Sequence, residues 1–295
     1  MSASSSERPR IPVGGGDRRF GREFVRATLA RHRLNTVCQE AGCPNLATCW
    51  GARTATFLLL GELCTRSCRF CGVATGDPRG IVDATEPRRV AAAAHDLGLA
   101  HVVLTSVDRD DLPDGGAGAF AAAIVAVREA IPEATVEALV PDFGGARESI
   151  LAVAAAHAHV LGHNLETVRR LTPTVRDRRA GYDRSLDVLA RLKAAAPGAV
   201  TKSSLILGLG ETDAEVEEAL VDLRHAGVDL VTLGQYLRPS QRAMPVERHV
   251  PAEAFRQLEA TARSLGFAGA LAGPVVRSSY RAQEMYRLAC AASSS

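Results

Sequence analysis

The chain reads as an α/β protein built on a partial parallel (β/α)6 barrel. Short apolar runs alternate with amphipathic helical stretches from residue 55 onward, the pattern of βα units laid around a parallel sheet. Six clear runs and a seventh, weaker one suit a partial barrel better than a two-layer open sheet. No GxGxxG follows the first run, which counts against a dinucleotide-binding sheet.

Each element has its own warrant. "ATFLLLG" (55–61) is apolar throughout, as a strand covered on both faces must be. "EPRRVAAAAHDLG" (86–98) has helical periodicity and stops at a glycine. The alternation continues with "HVVLTSV" as strand, "AGAFAAAIVAVREAI" as helix, "ATVEALV" as strand and "GARESILAVAAA" as helix. "HAHVLG" follows as a strand, with helices expected around 165–171 and 182–196. "VTKSSLILGLG" (200–210) and "VDLVTLGQY" are strands separated by the helix "TDAEVEEALVDLRHAG". "PAEAFRQLEATARSLG" is the last expected helix, and "FAGALAG" the weaker seventh strand.

Four segments result. Residues 1–20 are Ser, Gly, Pro and Arg with little to bury, and are expected to be disordered. Residues 21–54 form an extension, with a helix over 22–34, that carries the first group of cysteines. The barrel occupies 55–272, and 273–295 is a tail containing "RSSY".

Composition excludes several classes. A net charge of +2 gives no bulk attraction to nucleic acid. No apolar run is long enough to span a bilayer, and the N-terminus has no secretory pattern. A cytoplasmic protein is expected, although the Ser- and Arg-rich start also fits an organellar transit peptide. In a reducing compartment, clustered thiols are metal ligands or catalysts rather than disulfides.

Six of the seven cysteines fall in two groups of three. "CTRSCRFC" sets Cys64, Cys68 and Cys71 just after the first strand, at the barrel end where chemistry collects. Three thiolates at this spacing can hold three corners of an iron–sulfur cube and leave the fourth iron open. A zinc site completed by His95 or His101 is the other reading, but zinc ribbons favour CxxC pairs. "CQEAGCPNLATC" carries Cys38, Cys43 and Cys49 as Cx4Cx5C. Alone, this second trio is compatible with zinc or with small buried residues. Cys290 stands outside any spacing, and no HxH or HExxH pattern offers a separate histidine site.

CxxxCxΦC after the first strand, with Phe70 at the aromatic position, resembles the radical S-adenosylmethionine (SAM) enzymes. Adding the first trio and "RSSY" (277–280), the chain resembles the lipoyl synthases within that superfamily. "TSVDRDDLPDGGA", "HNLETV", "TKSSLILGLGETDAEV", "LGQYLRPS" and "GPVVRSSYRA" carry the similarity from about Leu34 to Tyr280. The resemblance implies two 4Fe–4S clusters and S-adenosyl-L-methionine as cofactors. Cys64, Cys68 and Cys71 would hold the cluster whose open iron binds and cleaves SAM, with Phe70 a wall beside the adenine or plain packing. Cys38, Cys43 and Cys49 would hold an auxiliary cluster whose fourth ligand is a serine oxygen, Ser279 rather than Ser278. A hard alkoxide is a poor match for a soft thiolate site, so that iron is expected to leave readily and expose sulfide.

The implied reaction is that of a sulfurtransferase. Two deoxyadenosyl radicals in turn abstract hydrogen from C6 and C8 of an octanoyl chain on a lipoyl-carrier protein, and the auxiliary cluster donates the two sulfurs. The implied partners are the glycine cleavage H protein or a 2-oxoacid dehydrogenase E2, a ferredoxin- or flavodoxin-type electron donor, and a cluster-repair protein. Another radical enzyme inserting sulfur, such as a methylthiotransferase, is the nearest rival, but no basic β-rich RNA-binding region appears at the C-terminus. A two-cluster electron carrier has no use for an open iron, and a zinc-stabilised interaction protein would be colourless.

Other segments sit at strand ends where a nucleoside cofactor would bind. Ser106 opens "SVDRDD", whose acids either orient a ligand or form a solvated loop. Asn164 and Glu166 in "HNLET" suit an amino group and ribose hydroxyls, or cap a helix. Gly208, Gly210 and Glu211 in "LGLGE" either let backbone approach the cofactor or make an ordinary turn. Lys202 and Arg176 are candidates to neutralise the methionine carboxylate. One departure from the family pattern stands before the first trio, where "IPVGGGDRRFGREF" replaces a Lys-Pro-x-Trp-type segment. Carrier docking is expected to differ there.

Overall fold

Residues 18–40, 43, 45, 46, 49 and 55–293 are described by the structure, a computed structural model. Helix α1 (Arg18–Arg31) leads to a short strand β1 (Asn35–Thr36) and one turn of helix, α2 (Val37–Glu40). The first apolar run becomes β2 (Thr56–Leu59), buried at all four positions. Two short strands, β3 (Leu63–Cys64) and β4 (Ala74–Thr75), pair across the base of the second cysteine loop.

From there the βα alternation is regular. It runs α3 (Glu86–Asp96), β5 (His101–Ser106), α4 (Ala117–Ala130), β6 (Thr135–Leu139), α5 (Arg147–Ala154) and β7 (Val160–Gly162). After one helical turn, α6 (Thr172–Val175), come α7 (Tyr182–Ala195), β8 (Val200–Leu207), α8 (Asp213–His225) and β9 (Leu230–Gln235). The chain finishes with α9 (Ala252–Ser264), β10 (Gly269–Gly273) and α10 (Ala282–Ser293). Strands β2, β5, β6, β7, β8, β9 and β10 are parallel neighbours in chain order, and β1 adds antiparallel to the free edge of β2. Among the described residues no ladder runs from β10 back to β2, so the barrel is partial.

The core follows from the apolar patterning. One cluster joins β2, β5 and β6 to the buried faces of α1, α3, α4 and α5, with Phe57 and Phe120 fully buried. Another joins β8, β9 and β10 to α8 and α9 around Phe255. Each such side chain contributes roughly 2 kcal/mol on leaving water. Thr212 and Glu215 form a reciprocal capping box at the start of α8, satisfying backbone N–H groups that the first turn leaves free.

The differences from expectation are local. The weaker seventh strand forms in full as β10. The helix expected around 165–171 is absent, because Glu166 takes a left-handed φ of 69° and bridges to Leu205 of β8. Following the sheet edge this way keeps the 164–166 segment at the rim; helix begins only at Thr172, with Pro173 in its first turn. Residues 18–20 belong to α1, while the disorder expected for 1–17 lies outside the described residues. Helix α10, unanticipated in the tail, closes the floor of the barrel, with Tyr286 against His101 and His159. No helix among the described residues is long and apolar enough to cross a membrane.

Candidate metal centre

The loop of residues 64–71 is pinned by charge. The Arg66 side chain is only 3% exposed and meets three carboxylates. Its Nη2 donates to Asp142 at 2.6 Å, its Nε and Nη2 to Asp110 at 3.0 and 2.8 Å, and Asp108 lies 3.3 Å from Nη1. A buried guanidinium is stable only when its donors are matched in this way. Asp177 holds the middle of the loop by accepting from the Ser67 N–H at 2.9 Å. Arg179 bonds both Asp177 and the Thr65 carbonyl.

Each sulfur of this trio accepts a backbone N–H: Cys64 from Arg66, Cys68 from Asp177 and Cys71 from Val73, at 3.3–3.5 Å. Such bonds favour thiolate, but desolvation wins. Burial pushes Cys64 up to about 11 and Cys68 to about 12, and raises Cys71. The trio therefore stays protonated until a metal supplies compensating charge. Burial also pushes Asp108 up to about 6; its carboxyl lies 3.9 Å from the Cys64 sulfur.

The trio opens onto a cavity of about 330 Å³ at the C-terminal ends of the strands. Phe70, Ser106, Asn164 and Glu166 line it, as does Arg176. Asn164 donates to Glu166 at 3.0 Å, and burial raises the Glu166 carboxyl. Asn164 Oδ1 and Ser106 Oγ are buried with no hydrogen-bond partner. Buried polar atoms left open in a concave site fit a ligand with polar groups of its own.

Three other residues of the glycine segment stand outside that wall. Gly208, Gly210 and Glu211 form the turn that ends β8. Gly208 has a φ of 99°, and a Cβ there would meet Gln235 Nε2 at 2.2 Å and the Arg248 carbonyl at 2.4 Å. Glu211 accepts from the Gly208 and Leu209 N–H groups, fastening the turn. Lys202 faces the barrel interior and is matched to Glu137 at 2.8 Å; an ammonium so engaged is not free for a ligand carboxylate. Burial alone would raise the Glu137 carboxyl, but Lys202 and His101 together more than offset it and hold it below its ordinary value. In the acidic loop, Asp110 and Asp111 are taken by Arg66 and Arg109, leaving Asp108 at the cavity.

The first trio lies behind the β2 side of the cavity, where Val37 and Thr56 form the wall. Cys38 is buried, and burial raises its thiol, with the neighbouring Thr56 partly offsetting the rise. Burial, and then the neighbouring Cys38 and Cys43, push Cys49 up to about 12. The far end of the chain completes this region. Asn45 donates to the Val275 carbonyl at 2.6 Å, Arg277 lies beside Cys43, and Thr56 donates to Ser279 Oγ at 3.0 Å. Ser278 and Ser279 both line the cavity, so the tail segment bonded to Thr56 faces the same space as Cys64, Cys68 and Cys71, with the first trio behind that wall.

Gly234 makes this crossing possible. A Cβ there would stand 2.1 Å from the Val276 carbonyl oxygen, so only glycine lets the 276–279 segment lie against β9. Gly234, Thr56 and Asp177 were not singled out from sequence. A glycine inside an apolar strand was the one available signal; the others act through partners distant in the chain.

All six sulfurs are free thiols. Among the described residues no three His, Cys, Asp or Glu side chains are grouped to hold a single metal ion; the corners of a cube are spread more widely than the ligands of one ion. The donor set, all thiolate in one trio and thiolate with nearby hydroxyl in the other, suits iron–sulfur clusters.

Comparison with known proteins agrees. Residues 58–223 match the family model of the radical SAM superfamily. A lipoyl synthase from Pyrobaculum calidifontis is 56% identical over 279 residues, covering 94% of each chain. One from Thermus thermophilus is 56% identical over 264 residues, covering 90% of this chain and 82% of its own. Among solved structures, the FeFe-hydrogenase maturase HydG from Carboxydothermus hydrogenoformans superposes with a TM-score of 0.60 at 12% identity, covering 92% of this chain and 70% of the other. Streptococcus suis SuiB does so with a TM-score of 0.56 at 14% identity, covering 84% and 52%. These two likenesses concern the fold alone.

Proposed function

This chain belongs to the lipoyl synthases of the radical SAM superfamily, and from that membership we propose that it inserts two sulfur atoms, at C6 and C8, into a protein-bound octanoyl-lysine. When bound, the two clusters and S-adenosylmethionine supply an electron, a 5′-deoxyadenosyl radical and the inserted sulfide.

The chain's own residues divide the work. Cys64, Cys68 and Cys71 hold the cluster that meets SAM. Ser106, Asn164 and Glu166 bind the cofactor's polar groups, Arg176 lies where a methionine carboxylate needs charge, and Phe70 walls the adenine. Cys38, Cys43 and Cys49 hold the auxiliary cluster, with Ser279 as its oxygen ligand; the hydrogen bond from Thr56 supports Ser279 over Ser278. One observation carries the reading: Cys64, Cys68 and Cys71 share one cavity with Ser278 and Ser279, and Val37 and Thr56, beside the first trio, form its wall. An alkyl radical made there is held near sulfide and away from water.

The substrate is an octanoylated lipoyl-carrier domain, from the glycine cleavage H protein or a 2-oxoacid dehydrogenase E2. A ferredoxin or flavodoxin delivers electrons, and a repair protein rebuilds the consumed cluster. The test is anaerobic reconstitution followed by dithionite, SAM and an octanoyl-lysine peptide. Mass spectrometry should find deoxyadenosine and a peptide carrying two new sulfurs. Deoxyadenosine with an unmodified peptide would reject sulfur insertion while keeping the radical chemistry.

A further inference from the structure

We propose that Thr56 is a positioning residue for the auxiliary cluster: its hydroxyl holds the Ser279 oxygen in place as an anionic ligand and sets how readily that oxygen lets go. This rests on the reading of Ser279 as a ligand.

Thr56 opens β2, is 3% exposed and faces the cavity. Its Oγ1 lies 3.0 Å from Ser279 Oγ, across a sequence separation of 223 residues. One threonine on β2 therefore ties the N-terminal part of the site to the tail through its single hydroxyl proton.

The direction of that bond follows from the chemistry of the ligand. A serine bound to iron has no proton of its own, so between the two hydroxyls only Thr56 can donate. A hydrogen bond to an anionic oxygen is stronger than one to a neutral hydroxyl. Thr56 thus stabilises the bound, anionic Ser279 more than the released, protonated one.

The test uses reconstituted full-length protein without substrate. Thr56→Val, Thr56→Ser and Ser279→Ala are compared by iron and sulfide content, melting temperature, Mössbauer spectrum and the rate at which a chelator removes iron. Thr56→Val conserves shape; it should load fully yet lose one iron about tenfold faster than the parent, the difference between a charged and a neutral hydrogen bond. Thr56→Ser should restore the parent rate, and Ser279→Ala should be at least as fast as Thr56→Val. If the valine variant loads poorly, Thr56→Ala against Thr56→Ser makes the same comparison. A parental rate in Thr56→Val with a fast Ser279→Ala would overturn the role of Thr56 and leave the serine ligand standing. A parental rate and spectrum in Ser279→Ala would instead remove the ligand itself. Equal rates in the serine and valine variants would assign any effect to general packing at this position and reject the hydroxyl.

Discussion

The two cysteine trios are held in opposite ways. Residues 64–71 are fastened by buried ion pairs, with Arg66 against Asp108, Asp110 and Asp142, and Asp177 bonded to the loop backbone. Among the described residues, the surroundings of the other trio are tied across the two ends of the chain by hydrogen bonds, Asn45 to Val275 and Thr56 to Ser279, with Arg277 beside Cys43. Redundant charge keeps its geometry when one contact fails, whereas each of these cross-chain bonds stands alone. The contrast fits the proposed roles, in which one cluster would be retained and the other would give up its sulfide.

The largest expected effect separates the trios outright. Alanine at Cys64, Cys68 or Cys71 should abolish deoxyadenosine formation, whereas Cys38→Ala should keep it and lose sulfur insertion, both read by mass spectrometry. Loss of deoxyadenosine in Cys38→Ala would show that the trios are not separable. Next, Gly234→Ala forces the Val276 carbonyl away from β9. Iron per chain should fall by about half, while the electron paramagnetic resonance signal elicited by SAM at the other cluster persists.

Smaller effects should touch both trios alike. Lys202→Met leaves Glu137 buried without its cation and should cost about 3–5 kcal/mol, or on the order of 10 °C in melting temperature; adding Glu137→Leu should recover most of it. His163 gives the mildest test. Burial pushes it down to about 4, so the unfolded chain binds its proton first as pH falls below the ordinary value near 6.5. The stability from keeping it neutral is present above that value and declines toward pH 4. At pH 5 the loss should be about 2 kcal/mol, seen as a lower urea midpoint and absent in His163→Gln.

How much could be read in advance tracks the range of each interaction. The βα alternation and the spacing of Cys64, Cys68 and Cys71 are local, and the parallel strands appear where apolar runs predict them. The tail needed the family resemblance, because nothing near "RSSY" reveals that it meets a residue 223 positions earlier. Lys202 looked available because its strand shows no acid nearby; Glu137 comes from another strand. The 165–171 helix failed for a related reason, since Glu166 trades helical bonds for two to β8, with Ser204 and Ile206.

The crossing of the 276–279 segment also orders events during synthesis. Apart from its own neighbours, the groups bonded to loop 64–71 lie between Asp108 and Met244. The trio at 38–49 is made earlier yet must wait for Val275 and Ser279 before its surroundings exist. The cysteines that leave the ribosome first are thus the last to be housed, and an emerging chain offers iron-delivery machinery one finished berth and one unfinished.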